Sequence, residues 1–125
     1  MSQASARAKI QLLPMISANE LKYWVSFSKI PGIGRARLYQ LKEHFGGLED
    51  AWNATVTELK RAGLDSRSIN ALVALRPRIS LDTEMEKLEH YKVKALICED
   101  PSYPSRLKEI YDYPPVLYIR GNLLP

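Results

Sequence analysis

Glycine and proline punctuate the first eighty residues so densely that long helices are excluded. The stops are Pro31-Gly32, Gly34, Gly46-Gly47, Gly63 and Pro77, residues that end a helix or weaken it when placed inside one. Between them, polar caps and apolar spacings predict five short helices. Ser17 and Glu20 stand at capping-box spacing before a helix whose Leu21, Trp24, Val25 and Ser28 share a face. A second helix, from about Gly34 to Phe45, places Leu38, Leu41 and Phe45 inward, and Gly46-Gly47 closes it. A short helix over Leu48–Trp52 follows. Thr55 and Glu58 repeat the capping-box spacing for a helix stopped by Gly63. Asp65 or Ser66 caps the fifth, with Ile69, Leu72 and Val73 inward and Pro77 at its end. Residues 17–79 therefore read as a compact all-α module.

The second part of the chain changes character. Ser80 can cap a longer helix with Asp82 and Glu84 in its first turn and a Leu81, Met85, Leu88 stripe. Near Tyr91 the period shifts to a strand over Val93–Cys98, closed by Glu99-Asp100-Pro101. Pro104 can open a helix through Ile110, Tyr113-Pro114-Pro115 makes an extended turn, and Val116–Ile119 is a second buried strand before a Gly121-Asn122 turn. Helix, strand, helix, strand is the start of an α/β layer. The predicted fold is mostly α with a small α/β part. Its organisation is a flexible N-terminal arm over 1–16, a helical domain over 17–79 and an α/β portion over 80–125.

Charge divides along the same boundary. Residues 1–79 hold 12 Lys/Arg against 6 Asp/Glu, while residues 80–125 hold 6 against 8. A basic helical part suggests a polyanionic partner, although a solvated surface can carry the same excess. No apolar run is long enough to span a bilayer, and the N-terminal stretch, broken by Pro14, does not read as a signal peptide. The single Cys98, flanked by Ala95, Leu96 and Ile97, reads as a buried structural thiol and fits a cytoplasmic protein.

One junction carries chemistry. Ile30-Pro31-Gly32-Ile33-Gly34-Arg35-Ala36-Arg37 resembles the hairpin of a helix-hairpin-helix element. Its two glycines allow positive φ and close approach of a phosphate to the backbone. The helix that begins at once points unpaired N–H groups and its positive dipole end at the same place. The candidate DNA-binding residues are Gly32, Gly34, Arg35, Arg37 and Lys42, holding the sugar-phosphate backbone and blind to base identity. The alternative is a packing motif, a tight reversal with Ile33 plugging the core. Ala62-Gly63-Leu64-Asp65 is a degenerate echo of it. Tyr23, Tyr39, Tyr103, Tyr111, Tyr113 and Tyr118 can stack bases, and tyrosines beside proline more often pack with a wet hydroxyl.

No catalytic, cofactor or metal constellation stands out. His44 and His90 lie far apart among ordinary surface residues, Cys/His zinc spacing and phosphate-loop motifs are missing, and Asp82, Glu84, Glu86 and Glu89 spread around a helix. The reading is of a protein that is not an enzyme and needs no cofactor.

The tail Tyr103-Pro104, Leu107, Ile110, Pro114-Pro115-Val116-Leu117-Tyr118 and Arg120-Gly121-Asn122 resembles the segment leading into the Rossmann-like domain of the DNA-processing protein A family (DprA, also called Smf). The other parts stand in that family's order from about Leu21 to Leu123: the Pro-Gly-Ile-Gly hairpin, Phe45-Gly46-Gly47 to Ala51-Trp52, and Glu58-Leu59 to Gly63-Leu64. The resemblance implies a SAM-like, helix-hairpin-helix-like domain followed by the opening strands of a Rossmann-like domain. It implies a protein that binds single-stranded DNA in natural transformation, helps load the RecA recombinase, acts as a dimer and is not a catalyst. The family's main DNA-binding pocket lies on a Gly-Ser-Arg type loop with no counterpart in these residues, so none of its residues carries over.

Two other readings compete. A protein-interaction or dimerisation module would have no DNA affinity of its own. A nucleotide-binding enzyme would need a Gly-rich phosphate loop that the sequence lacks. Two strands are also too few for a stable sheet, so exposed edges and some self-association of the last third are expected.

Overall fold

The helix signals are local, and the structure follows them closely. In the computed structural model, which describes residues 17–120, five α-helices precede the α/β part: α1 (Ala18–Phe27), α2 (Arg35–Phe45), α3 (Leu48–Trp52), α4 (Val56–Arg61) and α5 (Ser66–Leu75). A 3-10 turn over Arg76–Arg78 holds Pro77, then come α6 (Leu81–His90), β1 (Val93–Ile97), a 3-10 turn over Ser105–Glu109 and β2 (Val116–Arg120). The N-terminal arm over residues 1–16 and the Gly121-Asn122 turn lie outside the described residues.

Each cap does what its chemistry allows. The Thr55 hydroxyl accepts from the Glu58 N–H while Glu58 Oε1 accepts from the Thr55 N–H at 2.8 Å, a complete capping box. At Ser17 only half of that box forms, because Glu20 turns its carboxylate to Lys42 at 3.5 Å. Asp65, not Ser66, caps α5, and Ser80 caps α6. Gly46 ends α2 at φ +82, a conformation that costs a residue with a Cβ about 1–2 kcal/mol.

Helix α1 lies at the centre, with Tyr23 through Phe27 all buried. Trp24, Phe27, Leu38, Leu41, Leu59 and Leu72 form the core around it, and Phe27 meets Trp52 edge-on at 5.0 Å. Three inward assignments are softened. Val73 is 38% exposed because the inward face of α5 follows Ser68, Ile69 and Leu72. Phe45 is half-buried at the end of α2, and the Leu81, Met85, Leu88 stripe of α6 is half-buried along its length.

The core does not stop at residue 79. Leu96, Ile97, Cys98, Tyr103 and Val116 belong to the same apolar cluster as α1 and α2. The fold is mostly α with a small α/β part, and its two strands pair antiparallel from Val93↔Arg120 to Ile97↔Val116. Tyr103 explains that direction. Its hydroxyl donates to the Pro114 carbonyl at 2.7 Å and its N–H to Asp100 at 2.9 Å. The connection is thereby tied back to the end from which it left, and the pairing is not the parallel crossover of a Rossmann-like unit. The helix expected after Pro104 is a five-residue 3-10 turn with Pro104 as its cap. Extended backbone at Pro104 and Ile110 leaves too few residues to nucleate an α-helix.

Candidate nucleic-acid interface

Between α1 and α2 the chain reverses in a few residues. Gly32 takes φ +90, so it alone of the two hairpin glycines uses the left-handed region. Ile33 turns in and is 5% exposed. Gly34 is extended (φ −93, ψ −163) and caps α2 without a side chain. A Cβ there would come 3.9 Å from the carboxylate of Asp112, which reaches over from the loop before β2.

A second hairpin of the same form lies beside it. Gly63 takes φ +91, Leu64 turns in and is 5% exposed, and extended Asp65 caps α5. This is the degenerate echo at Ala62-Gly63-Leu64-Asp65, and the backbone shows a true counterpart. The two turns interlock. Arg37 Nε pairs with Asp65 Oδ1 at 3.0 Å, its Nη1 donates to the Gly32 carbonyl at 3.2 Å, and Gln40 Nε2 donates to the Ala62 carbonyl at 2.7 Å. Ser68, 1% exposed, donates to Asp65 Oδ1 at 2.7 Å, with the Gly32 carbonyl at 3.4 Å. The Ser68 hydroxyl, then its N–H and Arg37, hold the Asp65 carboxyl below the usual aspartate range against the opposing effect of desolvation.

The candidate residues fall into two groups. Gly32, Gly34 and Arg37 line one shallow cavity of about 380 Å³ with Asp112. Gly32 and Arg37 also border a neighbouring cavity of about 430 Å³ with Asp65, Arg67 and Ser68. Arg35 and Lys42 are placed elsewhere. Arg35 lays its guanidinium 4.0 Å over the Tyr113 ring, with its Nε buried and without a hydrogen-bond partner. Lys42 sits 5.3 Å over Trp24 and faces Glu20 at 3.5 Å and Glu99 at 3.9 Å. It belongs to a cluster in which the Tyr39 hydroxyl donates to Glu99 and lies 3.4 Å from Cys98 Sγ. Burial first, then those two hydrogen bonds, pushes the Tyr39 hydroxyl far above its ordinary range.

Sequence reasoning passed over Arg67, Ser68 and Asp112. Arg67 and Ser68 could have been found from the Gly63-Leu64-Asp65 spacing, which matches Gly32-Ile33-Gly34 with an aspartate in the last place. Asp112 carried no local signal. Among the described residues no three His, Cys, Asp or Glu side chains converge as a metal site, and no helix is long and apolar enough to cross a membrane.

The family model for DNA recombination-mediator protein A matches residues 94–125. A relative described as Protein Smf, from Synechocystis sp. (strain ATCC 27184 / PCC 6803 / Kazusa), is 33% identical over 106 residues, or 84% of this chain. The chain belongs to the DprA/Smf family. It spans 27% of the length of that Smf relative. The two matches together cover the hairpins and the antiparallel ribbon. No solved structure matches the chain significantly.

Proposed function

We propose that the protein processes DNA in recombination and that its helical part grips a strand by the sugar-phosphate backbone, without regard to sequence. The observation that carries this reading is the interlocked pair of glycine hairpins, each opening a helix of ten or eleven residues. The N-terminus of α2, which Gly34 caps without a side chain, forms with Arg37 and Arg67 a surface suited to phosphate, while the N-terminus of α5 already holds the Asp65 carboxylate. Asp65 and Asp112 oppose it, so an incoming phosphate must take Arg37 from Asp65. Gly32, Gly34 and Arg37 remain the proposed contacts, joined by Arg67. Arg35 and Lys42 act through packing.

Membership of the family supports the wider reading: a cytoplasmic, non-catalytic mediator that binds single-stranded DNA in natural transformation, helps load RecA and works as a dimer. On that reading residues 17–79 form a SAM-like domain and residues 80–125 open a Rossmann-like one. The second reading is a protein-docking module, and one observation favours it. Arg37 and Lys42 already have carboxylate partners within the chain.

The test is a titration of the 125-residue chain against labelled oligo(dT) at several salt concentrations, beside an Arg37→Glu/Arg67→Glu variant. Two to four phosphate contacts give a log–log salt slope of about −1.5 to −3, flattened in the variant. Absence of binding at low salt overturns the DNA reading and leaves the docking module.

A further inference from the structure

We infer that Tyr111 is a base-stacking residue that works beside the hairpin, making this face a single-strand surface. The inference rests on the DNA reading above and adds to it a contact with bases. Tyr111 is 95% exposed, the most exposed of the large apolar or aromatic side chains among the described residues. The residues on either side of it are engaged. Asp112 borders the hairpin cavity, Tyr113 lies under the Arg35 guanidinium and 6.1 Å from the Tyr103 ring, and the Ile110 N–H donates to Leu107 at 3.0 Å. The ring is therefore presented from a pinned segment, which lowers the ordering cost of a contact.

The other tyrosines are occupied or distant. Tyr23 and Tyr103 are buried, Tyr39 is bonded to Glu99, and Tyr118 shares a hydrogen bond with Ser28 at 2.6 Å. Tyr91 lies at the end of α6 against His90. Charge on the same segment fits a polyanion, since Arg106 and Lys108 are exposed and Lys108 lies 5.7 Å over the Tyr103 ring. Glu109 and Asp112 are the opposing carboxylates of that segment. A strand whose phosphate sits at Gly32–Gly34 can place a base on Tyr111, because Asp112, the next residue, already reaches Gly34. Duplex DNA keeps its bases stacked inside, so only a single strand gains from this contact.

The experiment compares wild type, Tyr111→Ala and Tyr111→Trp of the full chain on oligo(dT) and on an abasic strand of equal length. Loss of one stacked base weakens binding about 5- to 160-fold. We expect that loss for Tyr111→Ala on oligo(dT), little change on the abasic strand, an unchanged salt slope, and retention of affinity by Tyr111→Trp. Wild-type binding with equal affinity in Tyr111→Ala overturns the stacking role while the backbone reading stands. A Tyr111→Ala variant that binds DNA normally but changes sedimentation assigns the loop to protein contact and also overturns it. No binding by the wild type to either strand removes both readings together.

Discussion

Replacing Gly63 by alanine tests the interlocked hairpins through stability alone. Gly63 has φ +91, and a Cβ built there lies 2.6 Å from Gln40 Nε2. Gly46 has φ +82 and open space around it, so it serves as the control for backbone strain without the collision. The left-handed conformation costs alanine about 1–2 kcal/mol, of which about 0.4–1 kcal/mol is returned by the stiffer unfolded chain. Gly46→Ala should therefore lose about 1 kcal/mol. Gly63→Ala must also push Gln40 away and break its 2.7 Å bond to the Ala62 carbonyl. That bond adds about 1 kcal/mol, and more if the carbonyl finds no water. The expected total is about 2–3 kcal/mol. In a Gln40→Ala background the cost of Gly63→Ala should fall to about 1 kcal/mol, a coupling that two independent sites would not show. Urea unfolding followed by fluorescence suits the protein, since Trp24 and Trp52 are buried at 0% and 4% exposure. The midpoint should move without a change in m-value. Equal losses for Gly46→Ala and Gly63→Ala, or strict additivity with Gln40→Ala, would refute the reasoning.

Two further outcomes concern the same helical part. Arg76 donates from Nη1 to the Trp52 carbonyl at 2.7 Å and the Ala54 carbonyl at 2.8 Å, closing the end of α3. Arg76→Met keeps much of the apolar stem and removes both charged bonds, so it should cost about 1.5–3 kcal/mol in the same unfolding assay. Asp65 has its carboxyl lowered on folding, first by the Ser68 hydroxyl. Its contribution is present at neutral pH and disappears as pH falls through its depressed folded-state value. The fall in thermal midpoint below about pH 4 should be shallower in Asp65→Asn than in wild type, and an identical slope would remove Asp65 as a source of acid sensitivity.

Much of the helical architecture was legible because its causes are local. A capping hydroxyl at Thr55, a stop at Gly46 or Gly63, and a proline at 77 act within four residues of themselves, and the structure places helix ends where those residues stand. Burial of Leu38, Leu41, Ile69 and Leu72 follows from helical spacing in the same way. The candidate site was legible in part. Gly32, Gly34 and Arg37 come together at one cavity, since the hairpin and the first turn of α2 are one continuous segment. Arg35 belongs to that segment too, yet packs over the Tyr113 ring. No local rule connects a residue of α2 with the loop before β2.

What the sequence determined by itself is where helices begin and end and which residues form each turn. Those outcomes depend on backbone propensity and hydrogen bonds between near neighbours. Only the tertiary structure decided that the Gly63 turn docks against the Gly32 turn, that Tyr103 folds the ribbon antiparallel, and that Arg37 meets Asp65 while Tyr111 stays in water. An ion pair or an exposed ring is a property of which surfaces meet. That follows from packing the whole core around α1, and neither periodicity nor charge count along the chain records it.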